Sequence, residues 1–187
     1  MNEYNLRQTV TNLGYPLCSD YAKLVIDAST TSKINNPLFL MAVVMQESSC
    51  DKNEINGNSI GLMQISTKWW CSSEYALSEN KEDCKDELLN PMTNMNVGAR
   101  ILGKYYNDYG IKYENYKTQV NNNCQDSDLN KEYLSYNGWS AVLRAYNGFD
   151  CDSSGADNDY IKNVGERYVK LVLEYKKLPN APKTTSA

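Results

Sequence analysis

The sequence predicts a mainly α (α+β) fold, with a small β element near residues 54–66. Three observations carry this. Apolar residues recur at helical spacing through most of the chain. One run, Leu38 to Met45, is apolar on every side. Strand signals are few, and the polar, Asn- and Gly-rich segment from Cys50 to Ser59 suits a loop or short hairpin. A chain of 187 residues suits one domain, and at that size about 70% of the unfolded surface is buried without help from disulfides. The domain is expected over residues 1–178, followed by a flexible tail or linker stub over 179–187, where Pro179-Asn180-Ala181-Pro182 leads into small polar residues.

Taken in order, the first clear helix runs from Asp20 to Ser29, with Tyr21, Leu24, Val25 and Ala28 on one face. Asn36-Pro37 then reads as an N-cap followed by proline at the first helical position. It opens the Leu38–Met45 run, whose all-round apolarity predicts a central buried helix. Asn90-Pro91 repeats the start signal ahead of Val97, Ile101, Leu102 and Tyr105. The stretch from Asn121 to Asp128 reads as loop. Ser140 is the expected cap of a short helix holding Ala141, Val142, Leu143 and Ala145. The last helix spans Asp157 to Lys176, with Ile161, Val164, Tyr168, Leu171, Val172 and Tyr175 in one stripe.

Composition removes several chemistries. The chain has no histidine, which excludes Ser-His-Asp and Cys-His catalysis and any imidazole metal ligand. With 19 basic and 23 acidic side chains the net charge is −4, which argues against a nucleic-acid partner. The longest apolar stretch, Pro37 to Met45, is far too short to span a membrane. No metal and no cofactor is expected, so catalysis must come from carboxylates, hydroxyls, thiols or amines.

Cys18, Cys50, Cys71, Cys84, Cys124 and Cys151 are widely spread, with no Cys-x-x-Cys pair of the kind that marks zinc or redox sites. Three disulfides in a secreted protein is the favoured reading, with six buried thiols as the alternative. Proximity pairs Cys71 with Cys84 and Cys124 with Cys151, leaving Cys18 with Cys50. The opening residues are polar rather than basic and then apolar, so an extracellular protein whose leader is absent from this sequence is expected.

Three short stretches carry candidate chemistry. Glu47 follows the apolar run directly. A carboxyl against apolar walls has its ionised form disfavoured and its pKa raised, which a general acid needs near neutral pH. The alternative is that Glu47 marks where the helix meets solvent. Gly57-Asn58-Ser59-Ile60-Gly61-Leu62-Met63-Gln64-Ile65 joins flexible loop residues to an apolar hook, where Gly61 permits close backbone approach and Gln64 can hydrogen-bond an amide or hydroxyl. An ordinary packed turn has the same composition. Ala145-Tyr146-Asn147-Gly148 ends a helix with a phenol, an amide and a glycine C-cap signal, a pair suited equally to stacking on a sugar and to plain packing and capping.

Together and in this order, these stretches resemble the catalytic domain of soluble lytic transglycosylases and their goose-type lysozyme relatives. The matching residues are Gln46-Glu47-Ser48, Asn56 to Ile65, Asn90-Pro91-Met92-Thr93-Asn94 with Val97-Gly98-Ala99 and Ile101-Leu102, and Trp139-Ser140-Ala141-Val142 with Ala145-Tyr146-Asn147. The wording is closest to small secretion-system-associated members, and the resemblance covers roughly residues 36–170. It implies a lysozyme-like fold with a substrate groove. It makes Glu47 the sole catalytic acid and base, and places Ser59, Gln64, Tyr146 and Asn147 along the groove, with Met63 packing beside them. The implied partner is the peptidoglycan glycan strand. A monomer with no membrane insertion is expected.

The resemblance also separates two outcomes. Transglycosylases need one carboxylate, whereas goose-type hydrolases add aspartates that position a water. One such aspartate directly follows the hook, where this chain has Ser66, and the other falls near Ile55. Glu54 and Asp51 lie close enough in sequence to substitute. Anhydro-forming transglycosylation is therefore expected ahead of hydrolysis, with a chitin-active enzyme or a non-catalytic glycan-binding module as further alternatives. The cysteine content looks more like a secreted antibacterial lysozyme. Activity is expected to favour mildly acidic pH, where Glu47 stays protonated.

Overall fold

The computed structural model describes residues 1–151 and 156–179. The expected tail lies outside the described residues from Asn180 onward. The described chain is mostly helical, with one small three-stranded antiparallel sheet, as the apolar spacing predicts. It divides into two compact units, Met1–Ala99 with the chain from Gly165, and Arg100–Val164.

In the first unit, α1 (Glu3–Asn12) packs on α2 (Pro16–Ser19) and α3 (Ala22–Thr31), and α3 packs on α4 (Pro37–Ser48). The start of α4 follows the sequence signal. The Asn36 Oδ1 accepts the Phe39 N–H at 3.1 Å, filling one of the donors a helix start leaves open, with Pro37 next in line. Every residue from Leu38 to Met45 is buried. On the far side, Asn36 donates through Nδ2 to the Tyr168 hydroxyl at 3.0 Å, and the Tyr168 ring meets Phe39 edge-on. Tyr168 lies on α11 (Ala156–Lys176), in the part of that helix that belongs to this unit.

The expected β element is β1 (Ile55–Asn56), β2 (Ser59–Ile60) and β3 (Ile65–Ser66). Asn56 pairs with Ser59 across a two-residue turn in which Gly57 has φ +60°, the left-handed geometry that tight hairpin turns require. The sheet leads into α5 (Thr67–Trp70). The Cys71–Cys84 disulfide ties the end of α5 to α6 (Lys81–Leu88), and α7 (Pro91–Tyr105) follows from the second Asn-Pro signal.

The second unit is built on aromatic residues. A π-helical segment, Tyr106–Ile111, precedes α8 (Tyr113–Asn123), α9 (Ser127–Tyr133) and α10 (Gly138–Asn147). Tyr116, Val120, Cys124, Tyr133 and Ala141 form its core, with Tyr109, Leu129, Tyr136 and Phe149 packed against them. The Cys124–Cys151 disulfide closes it. Two expectations change here. Most of the stretch read as loop, Asn121 to Asp128, is the end of α8 and the start of α9. Burial of Tyr116 and Val120 holds the polar end of α8 in place despite the weak helix propensity of asparagine, and Asp126 caps α9 by accepting the Asp128 and Leu129 N–H groups at 3.0 Å. Ser140 is not the cap of α10. The Ser140 and Ala141 N–H groups close on the Asn137 carbonyl, so Ser140 lies inside the first turn.

The buried Tyr116 phenol donates to the Tyr133 carbonyl at 2.9 Å. Burial pushes its pKa well above the usual 10.0, the nearby Arg144 guanidinium opposes that, and the neighbouring tyrosines add to it. Below pH about 10 the folded and unfolded chains both hold this proton. Above it only the unfolded chain releases it, so stability falls with rising pH by at most about 1.4 kcal/mol per pH unit from this group. Urea midpoints measured at about pH 9 and about pH 11 are expected to fall more steeply in the parent than in Tyr116→Phe. Equal slopes would contradict this assignment.

Candidate active site

Glu47 sits on the last turn of α4, half-buried, directly after the fully apolar stretch. The helix stops abruptly beyond it. Ser49 (φ 52°) and Cys50 (φ 67°) are both left-handed, a conformation that costs a non-glycine residue roughly 1 kcal/mol or more. The Cys18–Cys50 disulfide anchors this turn to α2. Gln46, just before the glutamate, accepts from Arg167 Nε at 3.1 Å, and the same guanidinium donates to the Tyr15 hydroxyl at 2.6 Å. The chain is therefore held on both sides of Glu47.

The Gly61–Gln64 hook is fastened to this helix end. The Ser48 hydroxyl donates to the Leu62 carbonyl at 2.9 Å, so the residue after Glu47 grips the residue before Met63. From α7, the fully buried Asn94 makes three bonds to the same region. Its Oδ1 accepts the Met63 N–H at 2.8 Å, and its Nδ2 donates to the Ile60 carbonyl at 2.7 Å and the Leu88 carbonyl at 2.9 Å. Gly61 is required at this point. Its φ is +75°, and a Cβ there would stand 2.5 Å from Asn94 Nδ2.

The candidate residues take different roles in this arrangement. Met63 is completely buried, and Gly98 on α7 is what admits it, since a Cβ at Gly98 would lie 2.5 Å from the Met63 sulfur. It underpins the hook from inside. Gln64 is half-buried with φ 47°, and its Nε2 donates to the Gly61 carbonyl at 2.9 Å and the Glu54 carbonyl at 3.1 Å, closing the hook on itself. Ser59 is half-buried in β2, opposite Ser66. Three of the non-glycine residues with positive φ, Ser49, Cys50 and Gln64, thus flank Glu47 and the hook, and strain of this kind gathers where a site must be held in one geometry.

Tyr146 and Asn147 lie in the second unit, half-buried and exposed on the last turn of α10. Arg144, buried at the start of the same turn, stabilises the chain that follows them. Its guanidinium donates to the Gly148 and Asp150 carbonyls and stacks 4.2 Å from the centre of the Tyr133 ring. Sequence reading missed Ser48, Asn94 and Arg144 as supporting residues. The signal was available for two of them, since Asn94 and Arg144 are polar residues standing among the apolar positions of their helices.

Residues 23–168 match the family described as the transglycosylase SLT domain. The chain belongs to that family. The match spans the α4 glutamate, the hook, α7 and α10, all four parts of the sequence resemblance. The transglycosylase SLT fold is lysozyme-like, and its members are glycoside-cleaving enzymes that act on peptidoglycan. A comparison with curated proteins finds no match. No helix among the described residues is long and apolar enough to cross a membrane.

Proposed function

We propose that this transglycosylase SLT enzyme cleaves the β-1,4 bond between N-acetylmuramic acid and N-acetylglucosamine with Glu47 as its single acid and base, leaving 1,6-anhydromuramyl ends. The Glu47 carboxyl gives its proton to the glycosidic oxygen as the C1–O bond breaks, and the N-acetylglucosamine leaves with a free 4-hydroxyl. The substrate's own acetamido oxygen supports the positive charge at C1. The Glu47 carboxylate then takes the proton of the muramyl 6-hydroxyl, and O6 bonds to C1. The proton count balances and no water is consumed. Because the nucleophile is part of the substrate, its effective concentration exceeds anything bulk water supplies.

The carboxylate inventory of the hairpin supports this reading over hydrolysis. A hydrolase of either stereochemistry uses a second carboxylate, and the two positions where goose-type relatives carry one fall near Ile55 in β1 and at Ser66 in β3. The nearby candidates for that second role are Asp51 and Glu54. Asp51 Oδ1 accepts the Asn53 N–H at 2.8 Å in a turn, and Glu54 is exposed. Ser59, Gln64, Tyr146 and Asn147 are read as groove residues, with Met63 as a packing residue. Three disulfides support a secreted enzyme in an oxidising compartment, and we read it as a monomer. The test is the chemistry of the new chain end, an anhydro ring against a reducing sugar.

A further inference from the structure

We propose that the half-buried Trp139 ring of α10 is a glycan-stacking platform, one disaccharide repeat along the helix from Tyr146. The proposal rests on the substrate reading above and extends it to a residue outside the candidate set. Residues seven apart on a helix fall on nearly the same face, about 10.5 Å apart along the axis. Trp139 and Tyr146 stand in this relation. Ala141, Arg144 and Ala145 are buried on the other sides of α10, whereas Trp139, Ser140 and Tyr146 are half-buried and Asn147 is exposed. Val142 and Leu143, both buried, lie between the two aromatic residues on that face. The two-turn rise matches the length of two pyranose rings laid end to end, and a β-1,4 strand presents equivalent ring faces at that interval.

Trp139 is also held as a platform must be. The Tyr106 ring stacks on it with centroids 4.5 Å apart and planes at 25°. Tyr106 opens the π-helical segment, an uncommon geometry that recurs at functional sites. Gly110 in that segment is what lets Tyr106 pack so closely, for a Cβ there would lie 2.8 Å from the Tyr106 ring and 3.1 Å from Val142. A half-buried indole fixed in this way meets a sugar ring with little side-chain entropy left to lose.

The experiment uses the full chain carrying Glu47→Gln, so that glycan is bound without being cut. Wall-derived di-, tetra- and hexasaccharides freed of stem peptides are titrated by calorimetry against this protein and against versions that also carry Trp139→Leu or Trp139→Tyr. The expected result is that Trp139→Leu loses about tenfold in affinity for the hexasaccharide while disaccharide binding changes by less than about twofold. Trp139→Tyr, which keeps an aromatic face, recovers most of the loss. Equal hexasaccharide affinity in all three proteins overturns the platform and leaves the proposed function standing. So does an equal loss in the leucine and tyrosine variants. No binding of any oligosaccharide by the Glu47→Gln protein overturns both.

Discussion

Glu47→Gln is expected to slow clearance of a bacterial wall suspension by about a thousandfold or more, near the upper end of what a single acid–base group contributes. Glutamine keeps the shape of the side chain and its capacity to hydrogen-bond, but it has no proton to deliver to the glycosidic oxygen and no carboxylate to take one from the muramyl hydroxyl. The loss is large because both halves of the proposed reaction use the same carboxyl group. The substitution falls on a half-buried position at a helix end, outside the apolar run, so the thermal midpoint is expected to stay within about 2 °C of the parent. A rate within tenfold of the parent would show that another group performs the proton transfers.

Asn94→Ala is expected to cost about 3–5 kcal/mol, since it removes the partner of one buried N–H and two buried carbonyls. For a chain of this length that corresponds to a fall of roughly 6–20 °C in thermal midpoint. The hook loses its fastening to α7 at the same time, so activity is expected to fall more than stability alone explains when both are measured at a temperature where the variant is still folded. A cost below about 1 kcal/mol in urea unfolding would mean that the three hydrogen bonds do not hold the hook. Gly61→Ala probes the same clamp from the other side, through its positive φ and the closeness of Asn94 Nδ2.

What the sequence made legible was whatever depends on local chemistry. The Asn36-Pro37 start of α4, its all-round burial and the Asn90-Pro91 start of α7 each follow from a few adjacent residues. The three disulfides pair as chain proximity suggests, because short loops are the easiest to close. What stayed hidden depends on distant partners. The asparagine-rich end of α8 has no strong helical propensity and is held by tyrosine and valine burial. Helix α6 offers few apolar residues and depends on its Asn80 cap and the Cys71–Cys84 bond. In the site, the Glu47 position and the hook were readable as residues in order. The fastening was not, because the Ser48–Leu62 and Asn94–Met63 bonds join residues 14 and 31 positions apart.

The charge of −4 acquires a consequence from the same reading. An acidic enzyme gains no long-range attraction to an anionic wall polymer, so moderate salt is expected to help its encounter with substrate by screening the repulsion.

The single-carboxylate reaction is tested most directly by a mass spectrum of the muropeptides released from purified peptidoglycan. The expected products are lighter than hydrolysis products by one water, carry 1,6-anhydromuramyl ends and resist borohydride reduction. Reducible muramyl ends throughout the digest would show that water is the nucleophile and would contradict the proposed mechanism.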